Sequence, residues 1–226
     1  MQIIVGPTPR AAAELAAGWT ARRIRSAVRL RGGCRMAVSG GGTPALMFDV
    51  LATMDVPWMQ VHLFQVDERI APDGDADRNS TQLTEHLIRK VDIPRRNVHL
   101  LPVSAPSLKR GAATYAAAIN RAPLDIVHLG IGDDGHTASW PPGDPVIDDP
   151  AAVGITQVFN GRVRMTLTPV AVNAARCRML LTVGASKAHV LAGWILHKAD
   201  LPVQRVRRTS TTVIADQSAA SQLAHD

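Results

Sequence analysis

Leu124-Asp125-Ile126-Val127-His128-Leu129 leads directly into Gly130-Ile131-Gly132-Asp133-Asp134-Gly135-His136-Thr137-Ala138-Ser139. The first six residues are mostly apolar and read as a buried strand. The next ten place an imidazole and two carboxylates on a glycine-rich turn just past the strand's C-terminal end. In open α/β sheets that edge is where ligands bind. His136 is the side chain here best suited to move a proton near neutral pH. The glycines also spell G-x-G-x-x-G, and Asp149 lies near the distance expected of a ribose-binding acid. A dinucleotide site needs a long helix after the glycines. Pro141, Pro142, Gly143, Pro145 and Pro150 follow instead, and they leave no room for one. The glycines are read as letting the backbone fold tightly around a small ligand.

Outward from this point, strands and helices alternate, the signature of βαβ units around a parallel sheet. Strands are expected at 2–5, 34–38, 61–66, 97–101, 124–129, 178–183 and 213–215. Helices are expected at 9–30, 44–54, 80–89, 107–120, 168–175 and 186–197. Thr8 caps the first helix, and Pro9 opens it. Leu15, Ala16, Trp19, Ile24, Val28 and Leu30 supply its apolar positions. Residues 153–159 and 163–167 form a hairpin through Asn160-Gly161, a strong turn signal. The expected fold is α/β: a mostly parallel, doubly wound open sheet with helices on both faces and a small hairpin insertion. No repeat, low-complexity segment or linker divides residues 1–226, so one domain is expected.

Composition narrows the function. The 226 residues are 46% hydrophobic and 19% charged, enough for a sizeable core. Aromatic content of 4% argues against a base-stacking single-strand binder. The net charge of +6 gives a basic surface that attracts anionic substrates. The arginines at 22, 23, 25, 29 and 31, and at 205, 207 and 208, lie among apolar residues, and no nucleic-acid partner is expected. Cys34 and Cys177 are too few for a zinc site or a disulfide framework. The first residues lack a signal-peptide pattern, no apolar run approaches membrane-spanning length, and a cytoplasmic location is expected.

Further loops carry chemistry. Ser39-Gly40-Gly41-Gly42-Thr43-Pro44 joins a strand end to a helix start, where backbone N–H groups and the helix dipole favour an anion. It lacks the Gly-Lys-Ser/Thr ending of a nucleotide P-loop. In Asp67-Glu68-Arg69, extended geometry puts Asp67 and Arg69 on one side and Glu68 on the other. Arg69 can grip a phosphate or stabilise an oxyanion. Lys187 stands at a helix start, where a cation opposes the dipole and suggests a neighbouring anion. Arg164 alternates with apolar Val163 and Met165 and is a second cationic candidate. The remaining histidines, at 62, 86, 99, 128, 189 and 197, sit within element patterns and read as packing or surface; His225 falls in a C-terminal tail.

Taken together, these segments resemble the 6-phosphogluconolactonase family, within the wider glucosamine-6-phosphate deaminase-like and ribose-5-phosphate isomerase-like group. The matching pieces are Ser39-Gly-Gly-Gly-Thr-Pro44, Asp67-Glu-Arg69, Asp77-Arg-Asn79-Ser80, Gly130-x-Gly-x-Asp-Gly-His136-Thr-Ala-Ser139, Thr166-Leu-Thr-Pro169 and Gly184-Ala-Ser-Lys187-Ala188. They occur in the family's order across most of the chain. Trp140-Pro141-Pro142-Gly143 departs slightly from the family's usual aliphatic–aromatic–Pro-Gly run, and both Arg162 and Arg164 precede Thr166, with Arg164 better spaced. The resemblance implies a cofactor-free, metal-free hydrolase of 6-phosphoglucono-δ-lactone in the oxidative pentose phosphate pathway. The catalytic candidates are His136 with Asp134 or Asp67, and Arg69 or loop N–H groups at the oxyanion. Ser39, Gly40, Gly41, Gly42, Thr43, Arg164 and Lys187 are the candidates for the substrate and its phosphate. The partner is a small sugar-phosphate lactone, and the assembly a monomer or weak homo-oligomer. One rival is an amino-sugar phosphate deaminase or isomerase, whose pattern carries Asn-Glu-Pro shortly after the histidine; this chain has Trp140-Pro141-Pro142 there. The other is a sugar-phosphate sensor, which carries a DNA-binding segment before a first strand that here begins at Gln2.

Overall fold

A computed structural model describes residues 1–197 and 200–223. His225 lies outside the described residues. In chain order the elements are β1 (Gln2–Gly6), α1 (Pro9–Arg31), β2 (Cys34–Val38), α2 (Gly42–Leu51), β3 (Val61–Gln65), β4 (Asp67–Arg69), α3 (Asn79–His86), β5 (Val98–His99), α4 (Leu108–Ile119) and β6 (Ile126–Leu129). There follow β7 (Val153–Ile155), β8 (Arg164–Leu167), α5 (Pro169–Ala174), β9 (Cys177–Thr182), α6 (Ala188–Ile195), β10 (Thr211–Asp216) and α7 (Gln217–Ala220).

Local chemistry explains most boundaries. The Thr8 hydroxyl accepts from Ala11 N at 3.2 Å, and Pro9 sits in the first turn of α1. Gly32, left-handed at φ 75°, closes that helix by donating to the Val28 carbonyl. The buried stripe of α1 differs from the expected one: Ala12, Ala13, Ala16, Ala17, Trp19, Ala21, Ile24 and Ala27 face inward, whereas Leu15 and Leu30 are exposed. Small side chains let this helix lie close to the sheet, so size rather than hydropathy chose the inner face.

Seven parallel strands form the main sheet in the order β1-β10-β9-β6-β2-β3-β5. Side chains alternate between two cores. Val127, Leu129, Leu180 and Val213 pack with Trp140 and Trp194 on one face. Met36, Ile126, Met179, Leu181 and Ile214 pack with the inner residues of α1 and α2 on the other. From β2 the chain winds outward through β3 to β5, then returns to β6 on the opposite side of β2 and continues through β9 to β10. The winding therefore reverses between β2 and β6. The loops leaving those strands diverge and open a crevice at their C-terminal ends. They are the Ser39–Gly40–Gly41–Gly42–Thr43 loop and the His136 loop.

Other expectations change as well: the strand expected at 97–101 is confined to Val98–His99. The strand expected at 213–215 spans Thr211–Asp216 and lies second from the sheet edge, buried along its length. The hairpin is shorter in its first arm, with β7 ending at Ile155. An isolated Phe159–Arg162 bridge flanks the Asn160-Gly161 turn. Its second arm, β8, pairs antiparallel with β4, making a separate sheet β4-β8-β7. No helix of the described residues is long and apolar enough to cross a membrane. Both cysteines are free, Cys34 buried and Cys177 partly so.

His128, on β6, is fully buried against Phe48, and neither ring nitrogen has a hydrogen-bond partner among the described residues. Burial pushes its pKa down to about 3. The unfolded chain, with an ordinary imidazole, binds this proton more readily below about pH 6.5. Stability is therefore complete above that pH and falls as pH drops toward 3, by up to about 1.4 kcal/mol per pH unit from this group. Burial lowers His62 and His99 as well, with the same sign. Urea midpoints measured between pH 7 and pH 4 are expected to fall steeply, and His128→Leu to flatten the slope. An unchanged slope in the variant would remove His128 as a cause.

Candidate active site

A cavity of about 260 Å³ lies at the switch point. Ser39, Gly40, Gly41, Gly42, Thr43, Asp67, Arg69, Asn79, His136, Arg164 and Lys187 line it. Of the sequence candidates, only Asp134 is absent from the lining, and it holds His136 from behind.

The glycine loop is tied to β6 by Ser39, whose N–H and hydroxyl both donate to the His128 carbonyl, at 3.2 and 3.1 Å. Gly41, at φ 117°, turns the chain into α2, whose N-terminus faces the cavity. Gly41 N–H already donates to Gln82 Oε1 at 3.0 Å. A Cβ on Gly40 would collide with the Asn79 carboxamide.

The histidine loop closes on itself: Gly132 N–H donates to the His136 carbonyl at 2.7 Å, and Gly135 N–H to the Gly132 carbonyl at 3.0 Å. Asp134 Oδ1 accepts from His136 N–H at 3.0 Å and lies 2.5 Å from His136 Nδ1. That contact assigns the ring proton to Nδ1 and leaves Nε2 as the basic nitrogen. Partial burial raises the Asp134 carboxyl, but the two hydrogen bonds from His136 outweigh it and hold the group below its ordinary value. A Cβ on Gly132 would strike the imidazole, so that glycine makes room for the ring.

Asp67 engages Ser139 instead: its Oδ2 accepts the Ser139 hydroxyl at 2.7 Å. Asp134 thus meets the imidazole, and Asp67 meets the Ser139 hydroxyl of the same loop. Alternation along β4 holds as expected. Asp67 and Arg69 line the cavity, while Glu68 is wholly buried behind it. Arg69 Nη1 donates to the Asp77 carbonyl at 3.1 Å and to Asn79 Oδ1, and Asn79 Nδ2 donates to the Asp67 carbonyl at 2.9 Å.

Arg69 and Arg164 are direct partners across β4 and β8. Like charges placed opposite each other on adjacent strands are destabilising, a cost that an anion between them would offset. Arg164 is 7% exposed; among the described residues its Nε has no partner, and its Nη1 reaches only the Ser139 hydroxyl, at 3.5 Å. Burial lowers its pKa; Asp67 and Asp134 oppose this, and Arg69 adds to it. Arg162 instead pairs with Asp75 and Asp77, at 3.3 Å each. Lys187 lines the cavity with its ammonium 2.6 Å from Asp133 Oδ1. That bond, seconded by Ser186, holds the exposed Asp133 carboxyl low.

Sequence reasoning gave no role to Asn79, Glu68 or Phe159. Asn79 stands in a quoted motif, so a signal was present. Glu68 is a charge facing inward on a short strand, which implies buried partners. Phe159 lies 5.1 Å from the His136 ring, but no local pattern marks it. The histidines at 62, 86, 99, 128, 189 and 197 line no part of this cavity. The glycine run leads into turns, not a helix, which removes the dinucleotide reading. Among the described residues, no three His, Cys, Asp or Glu side chains converge as a metal site.

A family model described as glucosamine-6-phosphate isomerases/6-phosphogluconolactonase matches residues 7–215. The chain belongs to that family. Within it, the 6-phosphogluconolactonase of Synechocystis is 34% identical over 187 residues, covering 79% of this chain and 78% of that protein. The 6-phosphogluconolactonase of Rhizobium meliloti is 30% identical over 214 residues, 90% and 92% of the two chains. The solved 6-phosphogluconolactonase of Trypanosoma cruzi superposes with a TM-score of 0.88 at 27% identity, over 99% of this chain and 97% of that one. A monomeric glucosamine-6-phosphate deaminase superposes at 0.87 with 18% identity, which shows a shared fold alone.

Proposed function

We infer that the chain hydrolyses 6-phospho-D-glucono-1,5-lactone to 6-phosphogluconate, the ester-opening step of the oxidative pentose phosphate pathway. The observation that carries this reading is the Asp134–His136 pair beside a cavity lined by Arg69, Arg164 and Lys187. Within the family, a deaminase glutamate is expected shortly after the histidine. Trp140 occupies the start of that stretch, fully buried, with its indole N–H on the Leu167 carbonyl at 2.7 Å.

His136 Nε2 takes a proton from water as the oxygen adds to the lactone carbonyl. Arg69 or loop N–H groups stabilise the oxyanion. The ring C–O bond then breaks, and the imidazolium returns its proton to the departing alkoxide. Asp134 holds the imidazole in the tautomer this needs. The glycine loop, Arg164 and Lys187 hold the phosphate and so position the ester. The enzyme works in the cytoplasm as a monomer or weak homo-oligomer. Proton release on adding freshly generated lactone, above the spontaneous rate, tests the activity; no excess release would refute it.

Lys187→Ala is expected to raise KM for the phosphorylated lactone about ten- to a hundredfold, the worth of one charge-assisted hydrogen bond. The effect on unphosphorylated gluconolactone should be far smaller, because a remote phosphate contributes mostly uniform binding. Equal harm to both substrates would move Lys187 off the phosphate. The hydrolysis uses only side-chain and backbone groups in this reading, so activity should survive exhaustive chelation. Loss with EDTA, restored by a divalent ion, would contradict it.

A further inference from the structure

Phe159 touches two functional candidates at once, without lining the cavity itself. Its ring meets the His136 ring at 75°, with centroids 5.1 Å apart. The Arg164 guanidinium carbon lies 4.8 Å from the same ring's centroid. Phe159 is itself pinned. Its N–H donates to the Arg162 carbonyl at 2.9 Å and its carbonyl accepts from Arg162 N–H at 3.2 Å. Asn160 and Gly161, at φ 49° and 75°, make the two-residue turn between them.

Asp134 fixes one edge of the imidazole but leaves rotation about that hydrogen bond open. Among the described residues Arg164 forms no ion pair, and its one side-chain hydrogen bond is the long contact to Ser139. A guanidinium held over an aromatic face by cation–π attraction keeps N–H donors available for an anion. An imidazole packed at a steep angle against the ring is fixed in plane.

We propose that Phe159 is a positioning residue that sets the orientation of both the proton-transfer imidazole and the substrate-binding Arg164 guanidinium. This rests on the lactonase reading of the site. The hairpin, a separate unit of the fold, thereby acts on both catalysis and binding.

Phe159→Leu keeps an apolar side chain of similar reach and removes the aromatic face. It is expected to lower kcat about three- to tenfold through His136, and to raise KM about three- to tenfold through Arg164. Phe159→Tyr should restore both values to within about twofold. In an Arg164→Lys background, Phe159→Leu should no longer change KM, because an ammonium does not stack as a planar guanidinium does. A second measurement needs no turnover: the His136 ring proton signals, assigned by their absence in His136→Asn, should shift in Phe159→Leu through loss of the ring current and return in Phe159→Tyr. Unchanged kinetics and unchanged His136 signals in Phe159→Leu would overturn the proposal, as would equal impairment of the Leu and Tyr variants. These results are separable from failure of the lactonase reading, which would show as no proton release above the spontaneous rate in the unsubstituted protein, while the His136 ring signals would still report on Phe159.

Discussion

Replacing His136 with Asn is expected to lower turnover by about 10²–10⁴-fold, the usual worth of general acid–base catalysis, with the fold intact. The carboxamide of Asn can still donate to Asp134, whose Oδ1 now accepts from both the His136 N–H and the ring Nδ1. The loop's own backbone bonds, from Gly132 to the residue-136 carbonyl and from Gly135 to Gly132, do not involve the side chain. What disappears is the basic nitrogen. An amide cannot take a proton from water or return one to the alkoxide, so the loss falls on kcat. Asp134→Asn should give a smaller loss, because the imidazole remains but its tautomer and orientation are no longer fixed. Steady-state kinetics with the melting temperature of each variant decide the matter. Near-normal turnover in a folded His136→Asn protein removes His136 from the mechanism.

The second large effect is on stability. Glu68 is wholly buried and gathers five neighbours. Its carboxylate accepts from Arg69 N–H at 2.9 Å, Asn79 N–H at 2.7 Å, Ser80 N–H at 2.8 Å and Gln65 Nε2 at 2.9 Å. Arg78 Nε lies 3.2 Å away as an ion-pair partner, although not aligned as a hydrogen-bond donor. The group joins β4 to the first turn of α3, the two elements that carry Asp67, Arg69 and Asn79. Glu68→Ala leaves buried Arg78 with Asp73 as its one remaining carboxylate among the described residues, at 2.9 Å, and strands several N–H groups, and removing one member of such a set costs about 3–5 kcal/mol. For a chain of this size each kcal/mol lowers Tm by about 2–4 °C, so a fall of roughly 6–20 °C is expected. Glu68→Gln should be milder, since it keeps one acceptor oxygen while turning an NH₂ toward donors. Because the site residues hang from this carboxylate, kcat/KM should fall in both variants even well below Tm. A Glu68→Ala protein melting within a degree or two of the parent would show that the cluster is dispensable.

Much of the architecture was legible in the residues because the signals were local. Thr8, Pro9 and Gly32 mark both ends of α1, and a βα alternation with glycine-rich turns is enough to predict a parallel sheet with loops at one edge. The chemistry of His136 and the glycine loop was legible for the same reason: titratable groups and glycines at strand ends stand out against apolar runs. The alternation of Asp67, Glu68 and Arg69 followed from strand geometry alone.

Other features had no local signal. Leu15 and Leu30 look like core residues, yet the inner face of α1 was chosen by how closely alanines let it approach the sheet. The Thr-Thr-Val-Ile-Ala-Asp segment gives no hint that it lies between β1 and β9, since strand order is set by long-range packing. Which carboxylate meets His136, and which of Arg162 and Arg164 faces the cavity, depended on distances between segments far apart in the chain. Phe159 meets His136 through a contact between segments far apart in pairing, set by the antiparallel docking of β8 on β4. By itself the sequence determined which elements form and which residue types carry chemistry, because propensity, capping and periodicity act over a few residues. Only the tertiary structure decided which of those residues meet, because contacts across a sheet are selected by packing and by the partners that buried charges require.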